Sequence, residues 1–186
     1  MSDPKIIVFD DLDSTSAEAR RRALTGEAGP VWLMARRQSA GYGRRGRAWI
    51  SGGDNLAATL LLTLDMPPLQ AAQLGFVAAL AVADVISAYV PAALVRLKWP
   101  NDVLIDGRKA AGILIESGPA SAGGLWVSAG VGVNLVSFPA DVEQPATALA
   151  EVLREDIARA PSQDEAMERL ATGFQQRLGQ WLERDF

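Results

Sequence analysis

Five arginines stand between positions 36 and 47 with no acid among them (Arg36, Arg37, Arg44, Arg45, Arg47), in a chain whose net charge is −4. Guanidinium groups bind phosphate through paired hydrogen bonds and keep their charge at any working pH. The stretch therefore reads as a local anion site in an acidic protein. Gly41, Gly43 and Gly46 loosen it and Trp49 closes it. The three glycines match G-x-G-x-x-G, but Ser51-Gly52-Gly53 follows within five residues, so no helix starts there to present its N-terminus to a pyrophosphate. A phosphate-binding loop ending in Gly-Lys-Ser/Thr is absent too. What remains is a glycine loop whose backbone can approach a ligand, with Arg44, Arg45 and Arg47 toward phosphates and Trp49 as a flat face for a base. A solvated basic turn beside a core tryptophan is the bland alternative.

Two further segments carry polar chemistry inside apolar runs. Lys98 lies in Val95–Ile105, where a charged amine is costly unless it faces an anion or water; an edge-strand lysine that blocks aggregation is the alternative. Pro100 removes a ladder donor, so that strand lies at an edge or bends there. Asn134 ends Gly130-Val131-Gly132-Val133-Asn134. Glycines within a strand admit close approach of a ligand or a neighbour, and a buried asparagine needs partners, which a base edge would supply.

What the chain lacks narrows the chemistry. It has no histidine and no cysteine, which removes Ser-His-Asp triads, His-based and thiolate metal sites, and disulfides. Acid–base work would fall to carboxylates, lysine or tyrosine. There are three lysines, Lys5, Lys98 and Lys109, so each merits a question. Negative net charge argues against a nucleic-acid partner. No uninterrupted run approaches the ~20 apolar residues of a membrane span, and the N-terminus has no export signal, so a cytoplasmic protein is expected.

These groups must be positioned by a mixture of strands and helices. The 186 residues suit one domain. Strands are expected at Lys5–Phe9, Val31–Ala35, Leu56–Leu64 and Leu125–Leu135. Val95–Ile105 and Ala110–Glu116 flank an Asp106-Gly107 hairpin turn. Ser14-Thr15 opens a helix to about Leu24, with Thr15 and Glu18 as a capping box. A long buried helix is expected over Leu69–Tyr89 after Pro67-Pro68, and two more over Ala146–Ala158 and Asp164–Leu182, with Gln38–Gly53 and Ser137–Pro145 as loops. The fold class is α+β, a mixed and mainly antiparallel sheet with helices packed on one face.

Read together, Asp13-Ser14-Thr15, Gln38…Gly41-x-Gly43-Arg44-x-Gly46-Arg47-x-Trp49, Lys98-Trp99-Pro100-Asn101-Asp102, Lys109-x-x-Gly112-Ile113-Leu114-x-Glu116 and Gly130-x-Gly132-x-Asn134 resemble the catalytic domain of biotin protein ligases in order and spacing. The resemblance implies a class II synthetase-like fold shared with lipoate ligases and octanoyltransferases. It implies ATP-dependent activation of biotin to biotinyl-5'-AMP and transfer to a lysine of a biotin carboxyl carrier protein, as in acetyl-CoA carboxylase. Ser14, Thr15, Gln38, Gly41, Tyr42, Arg44, Lys98 and Gly112 are then expected at biotin. Arg44, Arg45, Arg47, Trp49, Lys98 and Asn134 are expected at ATP or the adenylate, with Lys98, Arg44 and Arg47 catalytic. Magnesium is expected with ATP, and no metal site of the protein's own. Tyr42 stands where many members carry arginine, and Ser16 where asparagine is common. Residues 1–186 are expected to form this one domain, with neither the DNA-binding segment of some relatives nor their C-terminal SH3-like domain. A homodimer through an exposed sheet edge is left open. Two alternatives on the same fold are a lipoate or octanoate ligase and a non-catalytic biotin-binding homologue. The octanoyltransferase branch works through a cysteine, which this chain lacks.

Overall fold

The computed structural model describes residues 4–50, 52–140 and 144–183. Strands β1 (Lys5–Leu12), β2 (Val31–Gln38), β3 (Leu56–Leu64), β4 (Val95–Lys98), β5 (Asp102–Ile105), β6 (Arg108–Pro119) and β7 (Leu125–Val133) form one sheet in the order β1-β2-β3-β7-β6-β5-β4. Among these strands β1 and β2 pair parallel and the other pairings are antiparallel. The mixed, mainly antiparallel sheet matches the expectation.

Period-2 alternation sorts the side chains between two faces. On one face Trp32 and Met34 of β2, Leu60 and Leu62 of β3 and Val127, Ala129 and Val131 of β7 join the main core. Helices α3 (Leu74–Ser87) and α4 (Gln163–Glu183) cover that face. Phe174 of α4 meets Trp32 edge-to-face at 5.6 Å. On the other face helix α1 (Thr15–Leu24) lays Ala19 and Ala23 on Leu33, Leu61 and Trp126. Helices therefore cover both faces: the expectation of one covered face holds for the long pair and is corrected for α1. The open part of the α1 face holds the site.

Several elements depart from expectation for local reasons. The apolar stretch after Pro67 is two helices, α2 (Pro68–Ala71) and α3, separated at Ala72-Gln73. Residues Pro68–Ser87 reach a mean hydropathy of 1.7, apolar enough by length and composition to cross a membrane, but half of the stretch is buried in this fold as a core helix. Val95–Ile105 is not one strand: the chain reverses at Trp99-Pro100-Asn101, giving the β4–β5 hairpin, and Pro100 sits in the bend while β4 forms the sheet edge. Ala146–Ala158 holds only a short 3-10 turn at Leu149–Glu151, because Lys109–Thr147 backbone bonds draw this segment alongside β6 instead. Of the expected Ser137–Pro145 loop, residues 141–143 lie outside the described residues. Ser14 caps α1, accepting from the Ala17 amide. Glu18 does not reach back to complete a capping box; its carboxylate bonds to Arg21 and Arg22 at 2.9 and 2.8 Å. The Asp106-Gly107 turn forms as read, with φ of 49° and 74°.

Candidate active site

The site is a cavity of about 240 Å³ between the N-terminus of α1, the arginine loop and the strands β6 and β7. Its floor follows from sheet alternation. Gly112, Leu114 and Glu116 of β6 share the α1 face with Gly130 and Gly132 of β7, where Gly112 pairs with Gly132 and Leu114 with Gly130. Small residues there leave a hollow between side chains, and any Cβ would fill it: one on Gly130 would lie 2.5 Å from Ser16 Oγ, and one on Gly132 would lie 2.3 Å from the Trp49 ring.

One end of the cavity is a buried hydroxyl and amide cluster. The Thr15 amide and hydroxyl both donate to Gln38 Oε1, at 2.8 and 3.1 Å. Thr59 Oγ1 donates to Thr15 Oγ1 at 2.8 Å and lies 3.3 Å from Ser16 Oγ. Ser14, Thr15, Ser16 and Thr59 are all at most 5% exposed. Gly41 permits Gln38 to lie as it does, since a Cβ there would sit 2.6 Å from Gln38 Nε2. Such a cluster can hold the several polar atoms of a compact heterocycle, and Leu114 on the same sheet face adds an apolar wall beside it.

The other end is cationic and aromatic. The indole of Trp49 lies on Gly112 and Gly132, with Lys109 Nζ 5.6 Å from its ring centroid. The same Nζ lies 2.7 Å from Asp102 Oδ1. Arg44 and Arg47 line the mouth, and Arg44 donates to Asn101 Oδ1 at 3.1 Å. Two buried polar atoms of residues lining this end, Trp49 Nε1 and Asn134 Oδ1, have no hydrogen-bond partner among the described residues; Asn134 Nδ2 is tied to the Thr147 carbonyl at 3.0 Å. A lone donor and a lone acceptor beside a flat indole suit the edge of a purine base.

The structure therefore gathers Ser14, Thr15, Gln38, Tyr42, Arg44, Arg47, Trp49, Gly112 and Asn134 around one cavity, with Gly41 behind Gln38. It does not gather Lys98. That side chain is exposed at the β4 tip and is not among the cavity's lining residues. The bend at Pro100 carries it away, and the cavity lysine is Lys109, so the expectation for Lys98 is corrected. Arg45 is exposed, with φ 60°, and points away from the lining set. Arg36 and Arg37 leave the anion site as well, paired with Asp164 at 2.8 Å and Asp11 at 2.7 Å. Lys109, Asp102, Asn101, Ser16 and Thr59 join the site with no role assigned to them from the sequence, and Gly130 and Gly132 stand where the sequence admits close approach of a ligand. For Lys109 a signal existed. Asp102 lies in an apolar strand and needs a cation, and Lys109 lies across the hairpin turn from it.

Comparison with known proteins places these features in a family. A model of the biotin/lipoate A/B protein ligase family matches residues 11–134. Biotin–[acetyl-CoA-carboxylase] ligase of Paracoccus denitrificans is 44% identical over 164 residues, which span 87% of this chain and 68% of that one. The ligase of the same name from Mycobacterium tuberculosis is 36% identical over 176 residues, 90% of this chain and 62% of that one. The chain thus spans about two thirds of the length of these relatives. The crystal structure of biotin protein ligase from Leishmania major in complex with biotinyl-5-AMP superposes with a TM-score of 0.76 at 22% identity, over 96% of this chain and 76% of that one, and shares the fold. On the family model that matches residues 11–134 and on the 44% identity to the Paracoccus ligase, the chain belongs to the biotin/lipoate A/B protein ligase family.

Proposed function

We propose that this protein joins ATP and biotin into biotinyl-5'-AMP and passes the biotin to a lysine of a biotin carboxyl carrier protein, in the cytoplasm. The observation that carries this reading is the division of chemistry in one cavity: a buried hydroxyl–amide cluster at one end, and at the other Lys109 beside a tryptophan, with Trp49 Nε1 and Asn134 Oδ1 unpartnered among the described residues. The ureido ring of biotin suits the first end and adenine the last. The names of the two similar ligases support the choice of biotin.

The reaction brings two anions together. A biotin carboxylate oxygen attacks the α-phosphorus of ATP, the P–O bond to pyrophosphate breaks, and a mixed anhydride forms. Fixed positive charge at the meeting point stabilises the transition state, one preorganised group contributing on the order of 10²–10³ in rate. Lys109 lines the cavity beside Trp49 and takes the role expected of Lys98. Its ammonium faces Asp102 at 2.7 Å, which fixes its position. Arg44 and Arg47 at the mouth face the departing pyrophosphate. In the second step the carrier lysine, as free amine, attacks the acyl carbonyl, and AMP leaves with the bonding pair of the broken C–O bond. Magnesium enters bound to ATP, as part of the substrate.

The test is mass spectrometry for acyl-adenylate after mixing the protein with magnesium-ATP and, in parallel, biotin, lipoate or octanoate. Biotinyl-adenylate alone is the expected result. Adenylate from lipoate or octanoate only would replace the substrate, and tight biotin binding with no pyrophosphate release would leave a non-catalytic biotin-binding protein.

A further inference from the structure

Tyr42 is held in a way that the chemistry above does not use. It sits in the arginine loop, bridged across the loop to Ala48. The loop closes on itself through the Gly43 amide to the Arg47 carbonyl and the Trp49 amide to the Gly41 carbonyl, both at 2.8 Å. These bonds shape the loop but do not bind it to the sheet. Among the described residues, two side-chain hydrogen bonds from the loop to the sheet region are present: Arg44 to Asn101 at 3.1 Å, and the Tyr42 hydroxyl donating to Glu116 Oε2 at 3.1 Å. The first uses a guanidinium that faces phosphates in the proposed reaction, so a bound nucleotide competes for it. The second does not involve a phosphate-binding group.

Glu116 is well placed for an anchor. It lies on β6, paired with Ser128 of β7 in the middle of the antiparallel sheet, on the same face as Gly112 and Leu114. Burial, then the Glu116 charge, raise the Tyr42 phenol to about 12, so the hydroxyl keeps its proton throughout the working range and can only donate to the carboxylate.

We propose that the Tyr42–Glu116 hydrogen bond is the latch that holds the arginine loop closed over the cavity, making Tyr42 and Glu116 positioning residues that set how long a water-sensitive acyl-adenylate stays enclosed. The retention part rests on the function proposed above; the latch itself does not.

The loop provides its own reporter, because Arg44, Arg45 and Arg47 are exposed trypsin sites whose backbone is held by the loop's own hydrogen bonds and fits a protease only when the loop opens, and cleavage tracks the open population when closing is fast. In the ligand-free full chain, Tyr42→Phe is expected to raise the cleavage rate at these three sites about tenfold, the scale of a lost hydrogen bond to a charged group. Glu116→Ala should match it, and Glu116→Gln, which keeps an acceptor oxygen, should raise the rate only about two- to threefold. The double variant carrying both Tyr42→Phe and Glu116→Ala should be cut no faster than either single variant. Cleavage at Arg20–Arg22 on α1 should stay at the wild-type rate. Wild-type loop cleavage in Tyr42→Phe, multiplied effects in the double variant, or an equal rise at Arg20–Arg22 would each overturn the latch. In protein that makes adenylate, Tyr42→Phe should also release it several-fold faster while Glu116→Gln retains it nearly as well as wild type. If the wild-type protein makes no adenylate, the ligase reading fails and the proteolysis result still decides the latch.

Discussion

Lys109 has two neighbours in its own fold, the Asp102 carboxylate at 2.7 Å and the Trp49 face at 5.6 Å, and both restrict where its charge can lie. A lysine so held is preorganised, which is what stabilising a transition state demands. Removing it outright would leave Asp102, 12% exposed in its side chain, as a poorly compensated buried charge. The informative change is therefore Lys109→Gln, whose amide still donates to Asp102 but carries no charge. It is expected to lower adenylate formation by about 10²–10³ with the fold intact by circular dichroism, whereas Lys98→Ala at the exposed β4 tip should stay within about threefold of wild type, both read as pyrophosphate released per minute. Loss of activity in Lys98→Ala with full activity in Lys109→Gln would return the role to Lys98.

Strand β7 carries both ends of the cavity on one face, two residues apart, so its glycines can be tested as a pair. A methyl on Gly130 meets Ser16 Oγ, and one on Gly132 meets Trp49. Gly130→Ala is expected to raise the biotin KM tenfold or more with little change for ATP, and Gly132→Ala to do the reverse. Overpacking of this kind costs about 1–3 kcal/mol, so a thermal midpoint measured alongside separates blocked binding from lost fold. Helix α1 presents a pH-dependent contribution of its own. The residue just before its N-cap is tied to its last turn by Arg21, which donates to both Asp13 oxygens at 2.8 Å, and this holds the Asp13 carboxyl at about 2, below its ordinary 3.8. On acidification the unfolded chain takes up that proton first, so the pair's stabilisation is present above pH 4 and is lost as pH falls toward 2. Both side chains are about half exposed, at 50% and 46%, so screening keeps the effect under about 1 kcal/mol. The urea midpoint of Arg21→Ala should fall below wild type at pH 6, by about half as much at pH 3, and approach it as pH nears 2; a gap that widens with acid would refute the account.

The parts that join sheet, loops and long helices rest on one residue more than any other. Asn55 is 1% exposed. Its Oδ1 accepts from the amides of Leu135, Val136 and Ser137 at 2.9, 3.1 and 3.2 Å, and its Nδ2 donates to the Ser137 carbonyl at 2.8 Å. Its own carbonyl accepts from Gln163 at the start of α4, at 2.7 Å. This clasp turns the chain after β7 and sets the position of Asn134. Asn55→Ala strands several amides, at a cost of roughly 3 kcal/mol, and for a chain of this size the thermal midpoint should drop by about 6–12 °C. A drop under about 2 °C would show that water or relaxation replaces the clasp.

Much of this was legible in the residues alone, because it depends on neighbours along the chain. Alternation places Gly130, Gly132 and Asn134 on one face of a strand. The glycine–arginine loop is too glycine-rich to be a helix, and Asp106-Gly107 can hardly be anything but a tight turn. The grouping of Ser14, Thr15 and Gln38 at one end of the site followed from the family resemblance and not from local pattern. What tertiary structure alone decided depends on which distant charges meet. Five clustered arginines read as one anion site, yet Arg36 and Arg37 are taken by Asp164 and Asp11 from elsewhere in the chain. Lys98 and Lys109 are both lysines in apolar surroundings, and local sequence does not rank them. The bend at Pro100 turns one outward, while the β5–β6 hairpin sets the other against Asp102 and Trp49. Charge acts through space, and space is set by the pairing of strands.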